Sequence, residues 1–104
     1  MAMSEITNDT IAQAISTNAL AVVEFYSSSC SVCEKLTPVL EEVSRKQLKT
    51  KFFMINSKQN MKACMTYKVL SLPTTLIFKK GELVEKVSGF KTKEEMEEII
   101  KRII

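Results

Sequence analysis

Short apolar runs alternate with stretches of helical period along the whole chain, and no polar linker separates them. Leu20-Ala-Val-Val-Glu-Phe-Tyr26 is a β-rich run bounded by Thr17-Asn18 and Ser27-Ser28-Ser29, which predicts a buried strand. Ahead of it, Ile11, Ala12, Ala14 and Ile15 follow the cap-type residues Thr7, Asn8 and Asp9 and predict a short helix from Thr10 to Ser16. Behind it, Val32, Leu36, Val39, Leu40 and Val43 recur at helical spacing, giving a helix from Cys30 to about Gln47. Lys51–Asn56 reads as a second strand, and Lys58 to about Tyr67 as a further helix. Thr74–Phe78 and Leu83–Val87 flank Lys80-Gly81 and read as an antiparallel hairpin. Thr92-x-x-Glu95 is a capping box opening a last helix that buries Met96, Ile99, Ile100 and Ile103.

Strand, helix, strand, hairpin and closing helix together imply an α/β domain: a central mixed sheet flanked by helices on both faces. The crossover from Leu20 to Ile55 is expected to be a right-handed parallel unit. The end of the first strand and the start of the Cys30 helix then fall at the sheet's carboxyl edge, where α/β sites usually lie. A chain of 104 residues suffices for one domain, so residues 1–104 are read as a single unit. Its longest apolar runs are four or five residues, so no membrane-spanning helix is expected. The opening Met1-Ala2-Met3-Ser4-Glu5 lacks the basic and apolar regions of a secretory signal, and a cytoplasmic location is expected.

Composition narrows the chemistry sharply. Histidine is absent, which removes His-based metal sites, Ser-His-Asp triads and Cys-His proteases. The formal charge of +3 divides unevenly: residues 1–44 carry one base against six acids, residues 45–104 fourteen bases against six acids. Those bases are spread over several elements without a Gly-rich or aromatic-interleaved stretch, so no nucleic-acid partner is expected.

Three cysteines remain, at 30, 33 and 64. Two spaced by three residues and one alone suit a reducing compartment with one working pair better than a disulfide framework. Cys30 stands at or just before a helix N-terminus, where unpaired amides and the helix dipole favour a thiolate. Cys33, one turn in, faces the protein. Cys30 is therefore the expected attacking thiol and Cys33 the one that resolves the mixed disulfide. Zinc binding through the pair would need four ligands, which Cys64 and no histidine do not supply within one chain. Glu24 interrupts the first strand on the face shared with Val22 and Tyr26, where it is either solvated or buried with a raised pKa. Cys64, Met54, Met61, Met65 and Met96 read as core-filling side chains.

These features together resemble the thioredoxin family from about residue 5 to the end. Val22-Val-Glu-Phe-Tyr26 before Cys30-Ser-Val-Cys33 carries the resemblance, with Pro38 five residues further on. Leu72-Pro73-Thr74 running into Thr75-Leu-Ile-Phe-Lys-Lys-Gly81, and Gly89 after the last strand, complete it. The resemblance implies the thioredoxin fold and a thiol–disulfide oxidoreductase that reduces protein disulfides without a bound cofactor. It further implies a cis Pro73 facing the dithiol, with the Leu72 backbone, Tyr26 and Gly89 forming the substrate surface. Glu24 would replace the family's buried aspartate and exchange protons with Cys33. Implied partners are disulfide-containing proteins and a donor thioredoxin reductase, and a monomer is expected. The chain departs from the family in Ser31-Val32 between the cysteines, where Gly-Pro is usual, and in Ser29, Tyr26 and Glu34, where two tryptophans and a lysine are common. Phe52 and Phe53 stand near the place of a lysine that often accompanies the buried acid. Two other readings stay open at this level: an adaptor of the same fold with silent cysteines, and a dimer bridged by a metal through Cys30 and Cys33.

Overall fold

In the computed structural model, which describes residues 3–104, five strands form one sheet in the order β1-β3-β2-β4-β5. Met1 and Ala2, part of the opening stretch read above, lie outside the described residues. The elements run β1 (Met3–Glu5), α1 (Ile11–Ser16), β2 (Leu20–Tyr26), α2 (Ser31–Ser44), β3 (Lys51–Asn56), α3 (Met61–Thr66), β4 (Thr74–Lys79), β5 (Glu82–Ser88) and α4 (Lys93–Ile103). β1 and β2 both pair parallel to β3, whereas β4 runs antiparallel to β2 and β5. β2 is the central strand and is covered on both faces, which explains its near-continuous apolar sequence.

Alternation along the strands divides the core in two. Ala21, Val23 and Phe25 face α1 and α3, where they meet Ile11, Ile15, Ala63 and Cys64. Val22, Phe52 and Ile77 face α2 and α4, where they meet Leu36, Leu40, Met96 and Ile100. Burying each such Met or Ile contributes on the order of 2 kcal/mol. Helix α4 begins with the expected capping box: Glu95 N–H donates to Thr92 Oγ1 at 3.1 Å, and Thr92 N–H to Glu95 Oε1 at 2.9 Å. Lys80 and Gly81 both have positive φ, 53° and 84°, the backbone that a two-residue hairpin needs.

Three expectations are corrected. Strand β1 has no counterpart among the predicted elements; it pairs Met3 with Phe52 and leaves Ser4 and Glu5 exposed. The helix expected from Lys58 is a 3-10 turn at Ser57–Gln59 that breaks at Asn60 before α3 starts. The Asn60 side chain donates to Asn56 C=O and accepts from Asn8 N–H, both at 2.9 Å, an alternative to continuing the helix. Met61 and Met65 are 60% and 76% exposed, because short α3 turns only Ala63 and Cys64 inward.

Candidate active site

The strand-to-helix junction puts both cysteines where the sequence pattern predicts. β2 ends at Tyr26, the serine turn follows, and Cys30 becomes the N-cap of α2 with extended backbone. Its sulfur accepts the Cys33 N–H at 3.2 Å, the bond an N-cap oxygen normally accepts. Cys30 and Cys33 form a disulfide with their Cα atoms 5.3 Å apart. Cys30 is partly open and Cys33 is 2% exposed. One sulfur of the pair thus faces solvent and the other the interior. On reduction, the helix N-terminus favours an anion at Cys30.

Glu24 lies behind this pair. It occupies the middle of β2, fully buried, and so is not solvated. The register sets it between Met54 on β3 and Thr75 on β4. Met54, not Phe52 or Phe53, therefore stands beside the acid; Phe52 is two residues back and Phe53 points to the other face. Among the described residues the Glu24 carboxyl has one hydrogen-bond partner, the Thr37 hydroxyl, 2.9 Å from each carboxyl oxygen. Burial pushes its pKa up to about 7; the Thr37 bond opposes the shift, and the charges of Glu5 and Glu41 add to it. A carboxyl poised there exchanges a proton readily at neutral pH.

The other expected residues gather at the same edge. Thr74 pairs with Phe25 and with Ser88, so Pro73 and Gly89 flank the strand ends next to the serine turn. The Leu72–Pro73 bond is cis, and Gly89 N–H donates to Pro73 C=O at 2.9 Å. Gly89 has φ +79°, the left-handed region that favours glycine. Among the described residues none hydrogen-bonds to the Leu72 backbone. Tyr26 lines a cleft of about 440 Å³ together with Cys33, Thr37, Pro38 and Met54. Its hydroxyl donates to the Glu5 carboxylate at 2.9–3.0 Å, and burial with that bond raises its pKa to about 12. Sequence reasoning missed Thr37, although it lies one turn beyond Cys33 on the same helix face. It also missed Lys58, whose ammonium donates to Ser29 Oγ at 2.8 Å and ties the 3-10 turn to the cysteine loop.

Comparison with known proteins agrees with this geometry. The thioredoxin family model matches residues 2–102. The chain belongs to the thioredoxin family. It is 34% identical to a thioredoxin of Mycoplasmoides gallisepticum over 100 residues, spanning 95% of this chain and all of that protein. It is 33% identical to a thioredoxin of Listeria monocytogenes over 103 residues, covering 98% and 99% of the two chains. A single-site mutant of a thioredoxin from Halobacterium salinarum superposes with a TM-score of 0.88 at 26% identity, covering 95% of this chain and 88% of that one. A family dithiol at the carboxyl edge of a thioredoxin-fold sheet makes this protein a thiol–disulfide oxidoreductase. Among the described residues no helix is long and apolar enough to cross a membrane.

Proposed function

We propose that this thioredoxin-family protein reduces protein disulfides in the cytoplasm as a single domain spanning residues 1–104, acting as a monomer. In the reduced form, the Cys30 thiolate attacks one sulfur of a substrate disulfide. A Cys30–substrate mixed disulfide forms, and the first substrate thiolate leaves and takes a proton from water. Glu24 carboxylate accepts the Cys33 thiol proton, and the Cys33 thiolate attacks the Cys30 sulfur. The second substrate thiolate leaves, and the proton held by Glu24 neutralises it. Two electrons have passed from the dithiol to the substrate, leaving the Cys30–Cys33 disulfide. A thioredoxin reductase returns them.

The observation that carries this reading is the asymmetry of the pair: Cys30 is partly open at the helix N-cap, Cys33 is buried one turn in, and an acid with pKa about 7 lies behind them. The unpartnered Leu72 backbone supports recognition of an extended substrate segment by main-chain pairing, with Pro73, Gly89 and Tyr26 shaping the surface around it. Trapping tests the proposal. Cys33→Ser should stall at the mixed disulfide and retain substrate proteins covalently through Cys30, released by excess reductant. If Cys33→Ser captures nothing while the wild-type protein reduces insulin disulfides at a normal rate, the assignment of roles within the pair is wrong.

A further inference from the structure

Thr37 bridges the Glu24 carboxyl and the backbone of the inner cysteine, Cys33. Its Oγ1 is 2.9 Å from both Glu24 oxygens and 3.1 Å from the Cys33 carbonyl oxygen. A threonine that bonds the carbonyl four residues back is ordinary in a helix. A threonine that does so while touching both oxygens of a fully buried carboxyl is not. Thr37 and Cys33 line the open cleft beside Tyr26 and Met54, whereas Glu24 lies behind that wall.

A hydroxyl has one hydrogen to donate and can accept another. Three oxygens surround Thr37 Oγ1, so the hydrogen cannot serve all of them at once. With Glu24 ionised, the carboxylate can only accept, and the Thr37 hydrogen goes to it. With Glu24 protonated, the carboxyl O–H donates to Thr37 Oγ1, and the Thr37 hydrogen turns to the Cys33 carbonyl. Each protonation state of the acid thus has one arrangement in which every donor is used.

We propose that Thr37 is a positioning residue for the dithiol reaction: its rotating hydroxyl holds the Glu24 carboxyl against the inner-cysteine turn in both protonation states. This rests on the reading of Glu24 as the proton acceptor for Cys33. Among the described residues no other side chain hydrogen-bonds to the Glu24 carboxyl. β3 places Met54 beside it and β4 places Thr75, whose hydroxyl has no hydrogen-bond partner among the described residues. The charged groups that act on Glu24 are Glu5 on β1 and Glu41 on α2, both acids that disfavour its ionisation, and Tyr26 on its own strand is neutral at physiological pH. Among the described residues it is the Thr37 hydrogen bond that favours the carboxylate.

The test uses Thr37→Val, which keeps the shape and removes the hydroxyl, with Thr37→Ala as a second hydroxyl-free variant and Thr37→Ser to restore it. Glu24 is followed by its side-chain carbon-13 carboxyl resonance across pH, and resolution of a preformed Cys30 mixed disulfide is timed over the same range. Losing a hydrogen bond to the charged form should move the Glu24 midpoint up by roughly one pH unit. The rising limb of the resolution rate should move with it, and at pH 7 resolution should slow by several-fold. Thr37→Ser should restore both. In a Glu24→Gln background, Thr37→Val should leave the rate profile where Glu24→Gln alone puts it. An unchanged Glu24 midpoint in both hydroxyl-free variants overturns the proposal. A midpoint that moves while the rate profile stays fixed supports the positioning of Glu24 by Thr37 and overturns Glu24 as the proton acceptor instead.

Discussion

The two faces of the sheet each carry a cysteine-bearing helix, and the helices treat their sulfurs oppositely. On one face, α2 presents Cys30 as its N-cap and Cys33 one turn in, above a strand that contains Glu24. On the other, α3 holds Cys64 in its interior, among Ile11, Val23, Ile55 and other apolar neighbours. Cys33 and Cys64 are nearly equally buried, 2% and 9% exposed, so burial does not separate them. Among the described residues, what separates them is the company: a second sulfur at a helix N-terminus and a buried acid on one face, and an apolar cluster on the other. Burial alone therefore does not decide the chemistry of a sulfur in this fold; electrostatic placement acts together with exposure.

The largest effect expected from breaking that contrast is at Cys30. Cys30→Ser removes the attacking sulfur but leaves the N-cap acceptor, since serine caps well. Disulfide reduction should fall by about three orders of magnitude or more, while the urea midpoint of the reduced protein should stay close to that of the reduced wild type. A marked loss of stability with residual turnover would show that Cys30 acts mainly as a cap.

Next in size is Glu24. Glu24→Gln keeps the side chain's shape but cannot take a proton, so resolution by Cys33 should slow by roughly a hundredfold, the low end of what a positioned base contributes. The rate should also lose its inflection near pH 7, where the burial-shifted carboxyl titrates. Stopped-flow measurement from about pH 5 to about pH 9, a range that brackets that titration, reads both. A profile identical to that of the wild type would break the link between the buried acid and the reactive face.

Stability gives a third, independent reading of the same group. The folded-state pKa of Glu24 is raised from 4.5 to about 7, so the folded chain binds the proton more tightly than the unfolded chain. Its contribution is therefore complete below about pH 4.5 and is lost as pH rises through 7. A gap of that size corresponds to about 3 kcal/mol between the two ends. Urea denaturation should show the wild type losing stability across that interval and Glu24→Gln losing much less. A wild-type curve that rises from pH 4.5 to 7 would contradict the burial of an uncompensated acid.

Much of this architecture is readable because the patterns are local. β2, β3 and the hairpin declare themselves by runs of β-formers between turn residues, and α4 by its capping box and apolar stripe. The CxxC pair, Glu24 and Pro73 are legible for the same reason, each marked by neighbours in sequence or by the family resemblance. The misses lie where an element is too short to show a period or where the meaning of a residue depends on distant partners. β1 has three residues, of which only Met3 is buried, too few for any period to show. The break at Asn60 depends on Asn8, 52 residues away. Thr37 becomes meaningful only when α2 lies across β2, and Met54 only when the β2–β3 register is known. Met61 and Met65 have core-type side chains on a helix that never turns them inward.

The smallest expected effect completes the contrast. Cys64 sits in the middle of α3 with its sulfur 3.8 Å from the Ser57 carbonyl oxygen, to which the thiol donates. Its side chain fills space in an otherwise apolar cluster. Cys64→Ala leaves a void of about one sulfur atom and should cost about 1 kcal/mol of stability. It should leave turnover, the pH profile and trapping through Cys30 unchanged. In the native reduced protein, iodoacetamide should modify Cys30 at least about a hundredfold faster than Cys64, since only Cys30 combines exposure with a site that favours thiolate. Mass spectrometry after timed quenching distinguishes the two positions. If Cys64 reacts as fast as Cys30, or if Cys64→Ala slows reduction, the α3 face is not chemically silent and placement at the helix terminus is not what sets the two faces apart.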